Sequence, residues 1–479
     1  MKLAPLLLTL CLINSPTSAD PIILPDMGDS TGTLISPAQE KALGASFFRS
    51  IQSQLDISND PEVQNYIQSI GQHLVKNSDA PNQAFYFFVV LANDINAFAG
   101  PGGFIGINSG LILNSENESE LASVMSHEIA HVTQRHIYRS YEAATQLSLP
   151  AAAALIAAIV VATQAPDVGI GAISAVQAGS IQAQINFTRS NEQEADRVGI
   201  KTLAKAQFDP RSMPSFFEKL QQASRYYGSA APEYLRTHPI TSSRIADTRG
   251  RAETYGYRQV ADSQSYRLIK AKLRTLANYS PEDLISYFNN RLNLGTEEQK
   301  AVMHYGLALS YAKQERYQTA QKLLAQLIKH HPKQAHYLNA SAKIFTLAGD
   351  YKNAKNVYAQ LESSYPYNDF YKFASVSLLL KSNQAKLALQ RLKAIPYNRQ
   401  NTPDYFLTLA STYEKLGDPL NFHRYMAEFH YATGQTNQAI LQIKLAQKSK
   451  NNNFYLSAIL EDRYIFFTNE ILALKQLQE

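Results

Sequence analysis

Two histidines and a glutamate in the segment HEIAH form the pattern with the clearest chemical meaning in this sequence. His127 and His131 are four residues apart, so on an α-helix they share one face, where both imidazoles can bind a single zinc ion. Glu128 lies about 100° round the helix, where it can reach a water on that metal. Zinc makes such a water acidic, so Glu128 could take its proton and pass it to the leaving amine of a peptide. The pattern predicts a zinc peptidase, although it also occurs by accident at about the one per cent level in a chain of this composition.

A zinc site of this kind needs a third ligand, and the acidic segment NEQEAD offers one. Glu192 would complete a set of two histidines and one glutamate, which leaves the fourth zinc position open to water. Asp196, four residues further on, could orient a ligand histidine through its second ring nitrogen. Glu194 projects about 200° away from Glu192 on a helix and is the weaker candidate. The alternative is a solvated helix start, where carboxylates interact favourably with the helix dipole.

Two further histidines are less informative from the sequence alone. His136 follows His131 by five residues, roughly 140° away from the ligand face of a helix, so it is left out of the predicted site. His238 lies in the segment HPITSSRI. By residue type alone, a histidine in such a place is more often a capping or buried residue than a ligand.

Several elements must position these residues. The segment FYFFVVLA, residues 85–92, predicts a buried strand because of its length and its β-branched and aromatic content. A glycine-rich turn then leads into a second short strand at residues 104–107. Ser115 and Glu118 have the spacing of a capping box, and apolar residues follow at helical spacing. A helix that carries HEIAH is therefore expected to begin at Ser115.

The composition and the first residues limit the class of protein. The chain has 479 residues, of which 45% are hydrophobic and 18% charged, so two or three soluble domains are expected. A net charge of +5 with interspersed signs gives no indication of nucleic-acid binding. Lys2, an apolar run at residues 3–13 and small residues up to Ala19 form an export signal. Cleavage would remove Cys11, the only cysteine, so neither a disulfide nor a cysteine-bound structural zinc is expected.

Residues 146–185 are rich in alanine and glycine, and Asp167 is their only charged residue. The longest apolar run in this segment is too short to cross a bilayer comfortably. We expect a buried or lid-forming segment, with peripheral contact to a membrane surface as the alternative.

The last third of the chain repeats with a period of 34 residues. The repeated positions carry small residues, tyrosines and prolines, among them Ala320, Ala354 and Ala388, Tyr317 and Tyr351, and Pro332 and Pro366. Small residues where helices cross, with a proline after the second helix, are typical of tetratricopeptide repeats. The sequence predicts an α-helical solenoid of four to six repeats.

Three motifs in chain order, NAFAGPGGFIGINSGLI, HEIAHV and RSNEQEADRVG, resemble those of the gluzincin metallopeptidases that include HtpX and the CAAX prenyl proteases. With its export signal and its repeats, the chain is most similar to the periplasmic members that act in outer-membrane β-barrel assembly. The resemblance implies one Zn²⁺ per chain. It also implies an α+β, mostly helical fold, with a zincin-type metalloprotease domain containing a small β-sheet, followed by the tetratricopeptide α-solenoid.

The resemblance also implies roles for individual residues. It makes Glu192 the acidic ligand and places Asp196 beside the ligands rather than among them. It places His238 and Arg244 near the metal, where they could gate the open position or steady an oxyanion. It further implies that the strand after PGG is an edge strand that takes up substrate as an added β-strand, formed by Phe104, Ile105, Gly106 and Ile107.

The expected organisation is a signal peptide at 1–19, a protease domain at 20–263, a helical connector at 264–298 and tetratricopeptide repeats at 299–479. The expected function is that of a periplasmic zinc metalloendopeptidase with chaperone-like action. It would cleave unfolded or stalled outer-membrane β-barrel proteins and dock on the outer-membrane assembly machinery through its repeats. The alternative is a chaperone or adaptor whose repeats carry the function while proteolysis is vestigial.

Overall fold

A computed structural model describes residues 36–137, 156–158, 160–161, 189–227, 232–396, 400–449 and 453–475. The predicted signal peptide, with Cys11 and the cleavage site after Ala19, lies outside these residues, and so does most of the apolar segment 146–185. Within the described part of the chain, no helix combines the length and the apolar character that crossing a bilayer requires.

The N-terminal half, in which the sequence predicts the protease and which is called the catalytic half below, consists of helices around one small sheet. Its first part contains α1 (Pro37–Gln52), α2 (Pro61–Lys76), β1 (Tyr86–Val90), β2 (Ala97–Ala99), β3 (Phe104–Asn108), α3 (Ser109–Asn114) and α4 (Glu118–Thr133). Its second part contains α5 (Arg189–Lys205), α6 (Ser212–Tyr227), α7 (Tyr234–Thr237) and α8 (Ser242–Glu253). Both strands that the sequence predicted are present, with β1 one residue shorter at its start and two at its end than residues 85–92.

The strand formed by Phe104, Ile105, Gly106 and Ile107 lies in the middle of the sheet. β3 pairs with β1 in parallel, Tyr86 opposite Phe104, and with β2 in antiparallel, Ala97 opposite Ile107. The prediction that this is an edge strand is therefore wrong. The physical reason lies in the turn Pro101–Gly103, where positive φ angles at Gly102 and Gly103, which glycine adopts without strain, fold β3 back against β2. β1 then takes its other side, so both sides of β3 are occupied.

One edge of the sheet is covered by glutamine side chains from α2. Gln64, Gln68 and Gln72 lie four residues apart and therefore on one face of that helix. Gln64 donates to the carbonyl oxygen of Phe87, Gln68 and Gln72 donate to that of Phe85, and Gln68 accepts from the N–H of Phe87. These amides satisfy backbone groups of Phe87 in β1 and of Phe85 just before it, which a further strand would need. The opposite edge is β2, which packs against α4.

The helix that carries HEIAH begins later than the sequence predicted. Asn117 caps α4 by accepting from the backbone N–H of Glu120, and the hydroxyl of Ser115 instead donates to a carbonyl at the end of α3. The capping box of Ser115 and Glu118 does not form because the Glu118 carboxylate accepts a hydrogen bond from the buried hydroxyl of Tyr66, at 2.9 Å. The long-range hydrogen bond between Tyr66 and Glu118 thus takes the place of the local capping box. From Glu118 to Val132 every residue of α4 is buried, so the motif lies in the core.

The second half is the expected solenoid. α9 (Gln264–Leu276) and α10 (Pro281–Asn289) lead into it, and each later helix packs on the next: α11 (Glu297–Lys313), α12 (Tyr317–His330), α13 (Ala335–Leu347), α14 (Tyr351–Ser364), α15 (Asp369–Lys381), α16 (Ala385–Lys393), α17 (Pro403–Lys415), α18 (Pro419–Ala432), α19 (Thr436–Gln447) and α20 (Phe454–Lys475). Ala320, Ala354 and Ala388 are fully buried, one in every second helix, because a larger side chain would hold neighbouring helices apart. The predicted fold class is confirmed.

Charged contacts join the solenoid to the catalytic half at both ends. Near its start, a junction network brings Lys272 of α9 and Lys343 of α13 onto the first residues of α2. Lys272 contacts both Asp60, at 2.8 Å, and Glu62, and Lys343 lies 3.3 Å from Asp60. Near its end, Arg49 of α1 forms an ion pair with Glu470 of α20 at 3.0 Å. The solenoid thus contacts the catalytic half at both of its ends.

Candidate metal centre

Four side chains from three elements converge in the core of the catalytic half. His127 and His131 come from α4, Glu192 from α5 and His238 from the residue that ends α7, and each is at most 2% exposed. One nitrogen or oxygen of each lies within 4.8 Å of the others. The Nε2 atoms of His127 and His131 are 2.9 Å apart, and Glu192 oxygens lie 3.5 and 3.3 Å from them. The two motifs separated by some sixty residues therefore meet at one point.

Small residues allow α4 and α5 to approach closely enough for this convergence. Ala130 of α4 packs against Ala195 and Val198 of α5. Gly199 follows directly, and a Cβ there would lie 3.2 Å from the backbone nitrogen of His127, tighter than ordinary packing allows. The helix axes can come this near only because these positions carry little or no side chain. The sequence RSNEQEADRVG thus supplies both the acidic side chains and the space for them.

The structure fits a metal ion bound by these four residues. Imidazole nitrogen and carboxylate oxygen are the usual non-cysteine ligands of zinc, at about 2.0–2.1 Å, which separates ligand atoms of a tetrahedral site by roughly 3.3 Å. Neighbouring donor atoms here lie 2.9–3.5 Å apart. Buried nitrogen and oxygen donors that face one another at such distances need a cation between them or protons shared among them. The donor chemistry and the spacing both agree with a four-coordinate ion.

His238, for which the sequence left two roles open, lies within the donor set. Its Nδ1 is 3.0 Å from a Glu192 oxygen and 3.4 Å from Nε2 of His127. Its other nitrogen lies 3.5 Å from Glu128. The ring stacks on Tyr234, 4.7 Å away and inclined by 27°, and its backbone N–H donates to the carbonyl of the same tyrosine. Tyr234 is fully buried and was missed by the sequence reasoning, which had no pattern that links it to the metal motifs.

Glu128 lies beside the cluster without joining it. It is fully buried, and its carboxylate faces a ring nitrogen of His238, 3.5 Å away, and the backbone of Ala99. Burial raises the pKa of Glu128, and the charges of His238 and His127 oppose that shift. A buried carboxyl group beside a bound water can both accept and return a proton. The position of Glu128 is suited to a general base, and this role stays a prediction.

Asp196 holds the far side of the His127 ring. Its Oδ1 lies 3.0 Å from Nδ1 of His127, and Arg244 donates to its two oxygens from Nε and Nη2, each at 2.7 Å. Burial alone would raise the pKa of Asp196, but the hydrogen bond from Arg244 holds it below its ordinary value. Burial likewise lowers the pKa of His127, but its hydrogen bonds with Asp196 and Glu192 raise it to about 9. The aspartate thus orients the histidine from behind.

Arg244 is close to the centre, and four of its five N–H donors are engaged by Asp196, Glu192 and Pro239. Besides the two bonds to Asp196, its Nη1 lies 2.7 Å from a Glu192 oxygen and donates to the carbonyl of Pro239 at 2.9 Å. Its guanidinium also stacks over Phe217, at 5.0 Å. A group that stabilises an oxyanion needs a donor aimed at the reacting atom. Of the two roles left open, this arrangement favours the metal-proximal one, in which Arg244 anchors two carboxylates.

His136, which the helical geometry had excluded, contacts the centre. The prediction assumed that α4 continues through residue 136, but the helix ends at Thr133. Arg135 then adopts a left-handed conformation, with φ of 56°, and turns the chain back. As a result the His136 ring packs on His131, with centroids 5.0 Å apart. A helix projection could not have found it, because the relevant turn is not helical.

Family models and relatives match both halves of the chain. Residues 61–252 match the model of peptidase family M48, and residues 303–333 match a tetratricopeptide repeat. The chain is 33% identical to the beta-barrel assembly-enhancing protease of Escherichia coli K12, over 95% of this chain and 92% of that one. It is 37% identical to the protease of the same name from Yersinia pestis, over 67% and 66% of the two chains. It is also 31% identical to the mitochondrial metalloendopeptidase OMA1 of Arabidopsis thaliana, over 33% and 30%.

Proposed function

Because this chain belongs to the family of beta-barrel assembly-enhancing proteases, M48 metallopeptidases with tetratricopeptide repeats, we propose that it is a zinc-dependent endopeptidase of outer-membrane protein quality control. It is exported, loses its signal peptide after about Ala19, and acts in the periplasm. There it cleaves misassembled outer-membrane β-barrel proteins, and it assists the assembly of others in a chaperone-like way. The proposal includes the domain bounds expected from the sequence: a signal peptide at 1–19, a protease domain at 20–263, a helical connector at 264–298 and tetratricopeptide repeats at 299–479.

One observation carries the enzymatic part of the proposal. The side chains of His127, His131 and Glu192 converge in the core, and the fully buried carboxylate of Glu128 lies next to them. A merely structural site has no use for an additional buried carboxylate that is not a ligand, because burying that charge costs free energy. A hydrolase needs one, to accept a proton from water. We assign the three converging residues as ligands and Glu128 as the base.

The residues around the centre have different roles in peptide hydrolysis. When bound, zinc supplies Lewis-acid chemistry: it polarises the scissile carbonyl and acidifies a water near neutral pH. Glu128 takes the proton from the attacking water and delivers it to the leaving amine, which its raised pKa favours. Asp196 keeps the His127 ring in the orientation that presents Nε2 to the centre. Arg244 fixes Asp196 and Glu192 in turn.

His238 makes the resting site a closed one. A catalytic zinc site keeps one position for water or substrate, whereas here His238 Nδ1 stands in the donor set, 3.0 Å from Glu192. We propose that the ring moves away, breaking its stack on Tyr234, before a substrate can enter. Replacing His238 removes a competitor for the open position, so the variant should cleave faster if this gating role is right.

The substrate-binding strand is reassigned to β2. A substrate in extended conformation can add to the free edge of a sheet through backbone hydrogen bonds. β2 is an edge strand and lies against α4, and the backbone of Ala99 is near enough to Glu128 to influence its pKa. A peptide paired with β2 would therefore pass beside the base. β3 cannot serve, because it is paired on both sides.

The solenoid is the proposed docking surface for protein partners. Stacked helix pairs form extended concave surfaces that suit protein binding, and here the stack also contacts the catalytic half through Lys272 and Arg49. We propose that it docks on the outer-membrane assembly machinery and holds stalled β-barrel chains near the protease.

Replacing Glu128 by glutamine tests the proposal. The substitution removes the base but leaves the three ligands, so zinc content should stay at one per chain while casein cleavage falls by roughly 10²–10⁴-fold. Glu253→Gln, an exposed position on α8, is the matched control and should change neither. Full cleavage by the Glu128→Gln protein, or loss of its zinc, would refute the assignment.

A second candidate is a chaperone or adaptor with weak proteolysis. The observation that favours it is the four-donor arrangement, which leaves no open position while His238 is in place. Cells that carry only the Glu128→Gln protein separate the two. Normal assembly of outer-membrane β-barrels in these cells would support the adaptor, and an assembly defect with unchanged zinc content would support the protease.

A further inference from the structure

The turn that ends α4 brings a third histidine of the segment HEIAHVTQRH into the core. His136 is fully buried, although it lies only three residues past the last residue of the helix. Its Nδ1 is 3.0 Å from Nδ1 of His131. His131 turns its other nitrogen, Nε2, toward the cluster, 3.3 Å from Glu192. His136 therefore contacts the side of the His131 ring that faces away from the proposed metal.

A carboxylate lies on the opposite side of His136. Nε2 of His136 is 3.2 Å from an oxygen of Glu194, and Glu194 is about one quarter exposed and also pairs with Arg197 at 3.6 Å. A carboxylate accepts hydrogen bonds and does not donate them. Contact with Glu194 therefore favours the tautomer of His136 that carries its proton on Nε2. Its Nδ1 is then a lone-pair acceptor aimed at His131.

The proton positions along this row have one consistent arrangement. For His131 to offer the lone pair of Nε2 to a metal, the neutral ring must carry its proton on Nδ1. That N–H then donates to Nδ1 of His136, and Nε2–H of His136 donates to Glu194. Each hydrogen bond has one donor and one acceptor. Exchanging the tautomer of either histidine would leave two donors or two acceptors facing each other.

We propose that His136 and Glu194 are positioning residues of the metal centre, which fix the tautomer and the orientation of His131. They do for His131 what Asp196 does for His127. The segment NEQEAD would then use all three of its acidic residues: Glu192 as the ligand, Asp196 behind one histidine, and Glu194, through His136, behind the other. The inference rests on the proposed metal site and adds the residues that set the tautomer and the orientation of His131.

The test is the zinc affinity of the full chain, measured by competition with a chromogenic chelator. His136→Leu removes the acceptor and should weaken zinc binding by about 10–100-fold, the usual cost of losing a partner of a ligand histidine. His136→Asn keeps an oxygen that can accept from Nδ1–H of His131, so it should recover a large part of the loss. His73→Leu is the control: His73 is an exposed histidine whose ring is bonded to the carbonyl of Ala206, and its loss should leave zinc affinity unchanged.

Glu194 offers a second pair of variants in case His136→Leu does not fold. Glu194 is partly exposed, so its replacement should not disturb the core. Glu194→Leu should lower zinc affinity about tenfold, and Glu194→Gln, which can still accept from His136, should lower it less. The visible absorption spectrum of the cobalt-substituted protein provides a readout that a purely structural role would not move. It should shift in His136→Leu and Glu194→Leu and stay unchanged in His73→Leu.

The outcomes separate this inference from the proposed function. Circular dichroism of the metal-free variants shows whether they fold. If the unaltered chain binds zinc tightly and all four His136 and Glu194 variants bind it equally well, the positioning role is wrong while the protease assignment stands. If His136→Asn binds zinc no better than His136→Leu, the hydrogen bond is not what matters and the positioning role is overturned as well. If the unaltered chain binds no zinc, both proposals fail.

Discussion

Removal of the Lys272 ammonium should open the junction between the catalytic half and the solenoid. Lys272 is buried, and its ammonium contacts Asp60 and Glu62 at the start of α2. Lys272→Met keeps the length of the side chain and most of its apolar stem but removes the charge. Glu62, which is 2% exposed, would then be a buried carboxylate without its cation.

The magnitude follows from which partners remain. Breaking a buried ion pair by removing one member costs about 3–5 kcal/mol, because the other charge is left without compensation. Asp60 keeps Lys343, at 3.3 Å, and two backbone N–H donors, those of Glu62 and Val63. The cost therefore falls mainly on Glu62, and we expect the lower end of the range, about 3 kcal/mol. That corresponds to roughly a hundredfold change in an opening equilibrium.

Native-state hydrogen exchange measures this change at the junction itself. Amides of α2 and α9 should lose about a hundredfold in protection, while those in the last solenoid helices should change little. Lys300→Met is the matched control. Lys300 also pairs with a glutamate, Glu297, but on the surface and three residues away in the same helix, where such pairs contribute little.

A double variant decides whether the reasoning is right. Adding Glu62→Leu to Lys272→Met removes the stranded carboxylate, and replacing a buried ion pair by apolar residues is often close to neutral. Protection in the double variant should recover most of the loss. If the double variant is as destabilised as the single one, uncompensated charge is not the cause and the argument fails. If the single variant matches Lys300→Met, the network contributes nothing.

Two further predictions concern acid and close packing. Burial raises the pKa of Asp60, but the charges of Lys272 and Lys343 outweigh burial and hold that pKa below its ordinary value of 3.8. The stability that the ionised Asp60 contributes is therefore present above pH 3.8 and is lost as the pH falls further. Hydrogen-exchange protection of α2 should fall below about pH 4 in the unaltered chain and depend less on pH in Lys272→Met. Gly199→Leu should force α5 away from α4 and weaken zinc binding, measured by chelator competition, by at least the 10–100-fold that loss of a ligand's partner costs. Gly250→Leu, at an open helical position, should leave zinc binding unchanged. Equal zinc affinity of the two variants would contradict the packing argument.

Local patterns in the sequence predicted the elements and most of the centre. The four-residue spacings in HEIAH and NEQEAD place side chains on one helix face whatever surrounds the helix, and His127, His131 and Glu192 do lie together. The period of 34 predicted the solenoid, because each repeat must bury the same small residues, such as Ala320 and Ala354, against its neighbours. These inferences depend only on helix geometry and on burial of apolar side chains.

Tertiary structure decided what those patterns could not. The sequence identified β3 but not its neighbours, since strand order depends on where distant segments return to the sheet. Helix projection excluded His136, because it could not know that Arg135 leaves the helical conformation. The capping box of Ser115 and Glu118 does not form, because Glu118 accepts a hydrogen bond from Tyr66, which lies far away in the chain. A local rule holds until a buried polar group finds a better partner elsewhere, and that partner is known only once the chain has folded.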